Sequence, residues 1–128
     1  MSAGGSILVV DDDEDIRDIL SLLLCSEGYE VDSARDGLDA LDHLRAGEPP
    51  SVILLDMMMP RMDGEDFLTS IHDTPQYADI PVVLISGHHA AREKAAQLAA
   101  ADCLVKPIDA DELLSVVRKY VPNHPRMA

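Results

Sequence analysis

Carboxylates stand in a row directly after a short apolar run near the start of the chain. Residues 7–10, ILVV, lead straight into Asp11, Asp12 and Asp13. Two carboxylates about 4 Å apart repel by roughly 4 kcal/mol at an effective dielectric constant of about 20. Neighbouring carboxylates are therefore stable only if they point apart into water or if a cation lies among them. The acidic run is a candidate cation site.

Three more polar residues stand at the ends of later apolar runs. Asp56 follows SVILL, Ser86 ends VVLIS, and Lys106 ends the run CLVK. If these runs are strands of one parallel sheet, their carboxyl ends meet at one edge, which is where such sheets bind ligands. We expect these three side chains to converge there with Asp11 and Asp12. Asp13 is expected to face away and to cap the first helix.

This set of side chains is suited to phosphoryl transfer. Carboxylates from two strand ends form a pocket of hard oxygen ligands, which suits Mg²⁺. A lysine and a hydroxyl opposite supply a positive charge and a hydrogen-bond donor for an anion. A carboxylate nucleophile, a divalent metal and a lysine together favour phosphoryl transfer to an aspartate.

Short apolar runs alternate with amphipathic segments along the whole chain. The runs rich in Val, Ile and Leu are predicted strands, at residues 6–10, 29–34, 51–55, 81–86 and 103–106. The segments with helical spacing are predicted helices, at residues 14–27, 37–46, 64–73, 90–100 and 110–120. In the first two, the spacing places Ile19 and Leu38 on apolar faces, whereas Leu22 lies off the stripe. Five β-α units predict a parallel sheet with helices on both faces.

Length and composition favour one domain and exclude several classes of protein. The chain has 128 residues, 47% of them apolar and only 3% aromatic, so the core is aliphatic. A net charge of −14 argues against non-specific binding to nucleic acid and against docking on anionic membranes. We expect a domain over residues 6–121, with a disordered tail at 1–5 and a short tail at 122–128.

Cysteine usage and the N-terminus predict a cytoplasmic protein. Cys25 and Cys103 form no disulfide framework and fit no zinc motif. The segment MSAGGS lacks the basic and apolar regions of a signal peptide, and no apolar stretch approaches about 20 residues. We therefore expect two thiols in a reducing compartment.

In this order and on these strand ends, the polar residues resemble the receiver domain of bacterial two-component response regulators. The matching pieces are the acidic pair after ILVV, Asp56 in DMMMPRMDG, Ser86, and the dipeptide KP at 106–107. The spacing from Asp56 fits the family pattern D-x-x-x-P-x-x-D-G. The resemblance implies a flavodoxin-like (βα)5 fold with strand order 2-1-3-4-5, of the stand-alone type seen in chemotaxis and sporulation-relay receivers.

The resemblance also implies a set of metal ligands and a phosphoacceptor. Asp56 would accept the phosphoryl group. Asp12, Asp56 and the backbone carbonyl of Met58 would hold Mg²⁺, with Asp11 acting through water.

Further residues would bind the phosphoryl group after transfer. Ser86 would hydrogen-bond a phosphoryl oxygen and Lys106 would pair with the phosphate, with a cis bond to Pro107. The donor would be a histidine kinase or a histidine phosphotransfer protein, and the response would involve the fourth helix and fifth strand. Met58 and His88 stand at positions that tune hydrolysis in the family.

Three positions depart from the family pattern, and one surface residue stands out. Cys103 stands where the family often carries the Tyr or Phe of a rotating switch, so aromatic-switch signalling is not expected. Ala99 replaces a common glycine, and Val116 replaces an arginine that many DNA-binding relatives use for dimer contacts. Leu22, on the first helix, is a candidate for the kinase-docking surface.

The favoured interpretation is a stand-alone receiver that signals through protein partners, with no direct nucleic-acid or membrane partner and at most slow self-dephosphorylation. A receiver excised from a longer hybrid kinase or regulator is the first alternative. A haloacid-dehalogenase-like phosphatase is the second, but its pattern needs a carboxylate two residues after the nucleophile, where this chain has Met58. A receiver that signals without phosphate is disfavoured by the intact acidic residues and Lys106.

Overall fold

Strands and helices alternate throughout the structure, a computed structural model that describes residues 6–57, 64–87 and 91–121. The strands are β1 Ser6–Val10, β2 Glu30–Ala34, β3 Val52–Asp56, β4 Val82–Ser86 and β5 Asp102–Val105. The helices are α1 Glu14–Ser26, α2 Gly37–Ala46, α3 Gly64–Asp73, α4 Ala91–Gln97 and α5 Ala110–Tyr120. No helix among the described residues is long and apolar enough to cross a bilayer.

The five strands form one parallel sheet in the order β2-β1-β3-β4-β5. This order confirms the predicted α/β fold class. The three inner strands β1, β3 and β4 are the ones that are apolar nearly throughout, because helices cover both of their faces. The edge strand β2 instead exposes Glu30 and Asp32, and charged side chains on an edge oppose pairing with another sheet.

Alternate side chains of each inner strand enter two separate cores. In β3, Val52 and Leu54 pack with the helices α1 and α5, whereas Ile53 and Leu55 pack on the opposite face with α2, α3 and α4. This division follows from the two-residue period of a strand. The helices therefore cover the two faces of the sheet, and the polar residues lie at its carboxyl edge.

Several element boundaries differ from the sequence-based prediction. The helices α2, α3 and α5 have the predicted bounds, but α4 ends at Gln97 rather than at residue 100. The reason is Ala99, whose φ of 59° lies in the left-handed region and cannot continue a helix. At the strand ends, Asp56 is the last residue of β3 rather than the residue after it, and Lys106 follows β5 rather than ending it.

The predicted apolar face of two helices was partly wrong. Ile19 is 55% exposed and Leu38 is also exposed, although both were placed on apolar faces. The buried face of α1 is centred on Leu20 and Leu24, and Ile19 lies one residue, or about 100°, away from it. Leu22 is 73% exposed, which confirms that it lies off the stripe.

Candidate functional site

Carboxylates from two neighbouring strands meet at the carboxyl edge of the sheet. Val10 pairs with Leu55 in the register of β1 and β3, so Asp11 and Asp56, one residue further along each strand, are neighbours. Together with Asp12 they bring one carboxylate oxygen each to within 4.8 Å of one another. The structure thus brings together the three acidic residues that the sequence predicted.

The three carboxylates differ in their exposure to solvent. Asp11 is 0% exposed and Asp56 is 4% exposed, whereas Asp12 lies on the surface. Asp11 and Asp56 lie at the ends of two inner strands, whereas Asp12 lies in the turn after β1. The acidic pocket is therefore buried at Asp11 and Asp56 and open to solvent at Asp12.

Lys106 supplies the positive charge of this pocket. Its Nζ lies 3.5 Å from Oδ1 of Asp56 and 3.9 Å from Oδ2 of Asp11. The backbone of Lys106 is anchored because its N–H donates to the carbonyl of Ser86 at 2.9 Å. The peptide bond from Lys106 to Pro107 is cis, as the resemblance implied.

The pKa of the Asp11 carboxyl is clearly raised in this cluster. Its pKa is raised from 3.8 to about 6, chiefly by burial, and the charges of Asp56 and Asp12 act in the same direction. The amide of Asp13, which donates to Oδ1 at 2.9 Å, and the ammonium of Lys106 act in the opposite direction. The dominant cause is loss of solvation of the charged form.

The oxygen atoms of the cluster fit a hard divalent cation. Within the described residues, Oδ2 of Asp11 is buried and has no hydrogen-bond partner, since the 3.9 Å to Lys106 is too long for one. A buried carboxylate oxygen without a hydrogen-bond donor is unfavourable. The Lys106 ammonium at 3.9 Å offsets this only in part, since the pKa of Asp11 stays raised, so a further cation would stabilise the charged form. Three carboxylates are a donor set that Mg²⁺ prefers.

Ser86 also lies at this edge, and two further predicted residues fall outside the described part of the chain. Ser86 is the last residue of β4, the strand beside β3, where Asp56 pairs with Ile85. It is half-buried. Met58 and His88 lie outside the described residues, so the predicted Met58 carbonyl ligand stays a prediction.

Asp13 is separate from the cluster and caps α1. Its Oδ1 accepts hydrogen bonds from the amides of Asp15 at 2.9 Å and Ile16 at 3.4 Å. This is the N-cap geometry predicted from the sequence, in which the side chain satisfies amides that have no partner within the helix.

Sequence reasoning missed Arg17, a residue that contacts the backbone of the site. Its Nη1 donates a hydrogen bond to the carbonyl oxygen of Asp11 at 2.7 Å. A single arginine on an acidic helix is usually a solvated surface residue, and no motif distinguished this one. The contact is seen only in the folded structure, where the first turn of α1 places Arg17 beside the carbonyl of Asp11.

Neither of the two cysteines forms a disulfide, and Cys103 stands where the resemblance places an aromatic switch residue. Cys103 is buried in β5 and pairs in register with Leu84 of β4, within the core beneath α4. Cys25 is exposed on α1, which covers the opposite face of the sheet.

Comparison with known proteins identifies the family of this chain. Residues 7–118 match the family model described as the response regulator receiver domain. The chain belongs to the response regulator receiver family. This family serves signalling rather than classical enzyme catalysis, which disfavours the dehalogenase-like phosphatase.

Relatives of this receiver occur in proteins of different lengths. It is 40% identical over 114 residues to the response regulator MprA of Mycobacterium sp. (strain KMS), an alignment that covers 88% of this chain and 48% of the relative. The chain therefore spans about half the length of the curated relatives it matches.

Solved structures confirm the receiver fold. The chemotaxis protein CheY4 of Vibrio cholerae superposes with a TM-score of 0.83 at 30% identity, covering 91% of this chain and 98% of that one. The receiver domain of a signal transduction histidine kinase from Syntrophus aciditrophicus has a TM-score of 0.83 at 29% identity, covering 91% of this chain and 89% of that one. The fold of this chain is therefore similar to the fold of a chemotaxis protein and to that of a receiver domain within a histidine kinase.

Proposed function

We propose that this receiver accepts a phosphoryl group on Asp56 from a histidine kinase or a histidine phosphotransfer protein, and that the modification switches its interactions with protein partners. The observation that carries the proposal is the environment of Asp56. Its nearly buried carboxylate lies at a strand end, within 4.8 Å of two other carboxylates and 3.5 Å from Lys106 Nζ.

Mg²⁺ is the cation that we propose for the acidic pocket, held by Asp12, Asp56 and the Met58 carbonyl, with Asp11 acting through water. When bound, the ion supplies positive charge that neutralises the reacting oxygens. Lys106 holds Asp56 through Oδ1 and offers its ammonium to the incoming phosphoryl oxygens. One Asp56 oxygen forms the new bond to phosphorus as the donor imidazole leaves with its bonding electrons.

Ser86 is the proposed hydrogen-bond donor to the phosphoryl oxygen after transfer. It lies on β4, the strand next to the one that carries Asp56. Its backbone carbonyl accepts the 2.9 Å hydrogen bond from the amide of Lys106. Because Cys103 is small and buried, we infer that the signal passes by movement of α4 rather than by rotation of an aromatic ring.

The decisive experiment is the intact mass of the chain after incubation with acetyl phosphate and Mg²⁺. We expect one phosphoryl group on the wild type, none on Asp56→Asn, and none after addition of EDTA. Asp32→Asn on the exposed edge of β2 removes the same charge far from the pocket and should label like the wild type. Persistent labelling of Asp56→Asn would show that another residue is the acceptor.

A protein donor is proposed to dock on the exposed apolar residues of α1. Leu22 is 73% exposed and Ile19 is 55% exposed, one helical turn apart on the same surface. Leu22→Glu should slow phosphotransfer from a phosphohistidine protein while labelling by acetyl phosphate is unchanged. Leu38→Glu, a matched change on α2, is the control. Equal transfer rates for Leu22→Glu and the wild type would exclude this surface.

We further propose that the chain acts in the cytoplasm, through protein partners rather than nucleic acid or membrane, and that its only catalysis is slow self-dephosphorylation. The net charge of −14 supports the absence of direct contact with anionic polymers and lipids. The proposed role of Asp56 is the same in a stand-alone receiver and in a receiver within a longer regulator or kinase, and relatives of both lengths exist.

A further inference from the structure

The turn between β1 and α1 is held by three hydrogen bonds that converge on one residue. The amide of Asp11 donates to the carbonyl of Ala34 at 3.1 Å. Its Oδ1 accepts from the amide of Asp13 at 2.9 Å, and its carbonyl oxygen accepts from Nη1 of Arg17 at 2.7 Å. The backbone and side chain of Asp11 are thus fixed from three directions.

The contact of Arg17 acts on the peptide unit that leads into Asp12. The carbonyl of Asp11 and the amide of Asp12 belong to one planar peptide group, so a hydrogen bond to the oxygen orients the whole plane. The register of β1 with both neighbouring strands ends at Val10, so this plane lies beyond the sheet ladder. A half-buried guanidinium at 2.7 Å is a charge-assisted contact of the stronger kind.

We propose that Arg17 is a positioning residue of the acidic pocket, which orients the Asp11–Asp12 peptide and thereby the carboxylate of Asp12 for cation binding. Asp12 depends most on such support because it is the exposed member of the cluster, whereas Asp11 and Asp56 are buried. The inference rests on the proposed Mg²⁺ binding and deepens it.

Positioning and simple charge predict opposite effects of removing Arg17. A nearby positive charge repels a divalent cation, so its loss alone would tighten Mg²⁺ binding. Loss of a group that orients a ligand weakens binding, and such supporting contacts are typically worth about 10-fold to 100-fold in metal affinity. The sign of the change therefore identifies the role.

The test is calorimetric titration of Mg²⁺ into the full metal-free chain at pH 7.5, with no phosphodonor present. We expect Arg17→Met to bind Mg²⁺ about tenfold more weakly than the wild type. Arg17→Lys, which keeps a donor and the charge, should recover most of the affinity. Arg45→Met is the matched control. Arg45 is exposed in the last turn of α2, and its ion pair among the described residues is with Asp42 at 3.6 Å, away from the pocket.

Equal or tighter binding by Arg17→Met would overturn the inference. Absence of Mg²⁺ binding by the wild type would instead overturn the proposed metal site and this inference with it, so the two failures are distinguishable. Circular dichroism verifies that each variant is folded. If Arg17→Met is unfolded, the titrations of all variants are made in sucrose, which favours the folded state.

Discussion

Asp11 is held in its charged form against a large desolvation cost. Its carboxylate is fully buried, and its pKa rises to about 6 chiefly for that reason. The folded chain therefore binds a proton more tightly than the unfolded chain, whose value is 3.8. This group stabilises the fold at low pH, and its contribution is lost as the pH rises from about 4 through 6. At neutral pH the buried charge of Asp11 lowers the free energy of unfolding of the metal-free protein.

Replacing Asp11 with Asn should stabilise the metal-free protein at neutral pH. The amide removes the buried charge and keeps an oxygen for the Asp13 amide, so we expect a gain of about 1–3 kcal/mol in the free energy of unfolding at pH 7.5. The gain should shrink between pH 6 and pH 4. Urea unfolding of the variant and the wild type at pH 7.5 and at pH 4 measures the gain in the free energy of unfolding. Asp18→Asn, at an exposed position, is the control. A gain that does not change with pH would contradict the assigned cause.

Among the helices, α4 ends under local strain. The amides of Ala99 and Ala100 donate to the carbonyls of Ala96 and Ala95, which closes the helix with Ala99 at a φ of 59°. Glycine adopts this conformation freely, whereas a Cβ makes it costly by about 1 kcal/mol. Of the α4 side chains that are described, Ala95 is the buried one, and Leu98 and Ala100 on either side of Ala99 are partly buried against the same core.

Ala99→Gly should therefore raise the free energy of unfolding, by about 0.5–1 kcal/mol, because it relieves the left-handed conformation. Ala96→Gly, an exposed change inside the same helix, should lower it by about 1 kcal/mol. Urea unfolding of both variants provides the comparison. Destabilisation by both glycines would show that Ala99 is not strained.

At the scale of the whole molecule, the topology concentrates negative charge around the pocket. Each helix of a β-α unit begins at the carboxyl edge of the sheet, and acidic residues in a first turn are stabilised by the helix dipole. The first turns of α1, α3 and α5 each carry two acidic residues. They add to the three carboxylates of the site, so the edge that carries Asp56 favours cations.

Mg²⁺ should therefore stabilise the protein beyond the effect of ionic strength. Binding to the folded state alone adds RT ln(1 + [L]/Kd), or about 2.7 kcal/mol at a ligand concentration of 100 Kd. We expect MgCl₂ to raise the Tm more than NaCl at equal ionic strength, as measured by circular dichroism. Asp12→Asn should reduce this difference, and Asp32→Asn, on the edge of β2, should not. Equal effects of the two salts would contradict specific binding.

The sequence by itself determined the fold class, the element order and the membership of the carboxylate cluster. Apolar runs with a two-residue or helical period report local structure, and α2, α3 and α5 have the predicted bounds for that reason. The position of Asp11, Asp12, Asp56 and Lys106 at strand ends then follows from the parallel topology.

Only the tertiary structure decided which carboxylate is buried, how far Lys106 lies from each one, and that Arg17 holds the Asp11 carbonyl. It also showed that Ile19 is exposed. The physical reason is that burial and hydrogen bonding at these positions depend on the path of the folded chain, which brings Lys106, at the end of β5, to the cluster and turns Arg17 back towards Asp11. Adjacent aspartates look alike in the chain, and it is the neighbouring strand β3 and the first turns of α1 that make Asp11 and Asp12 different.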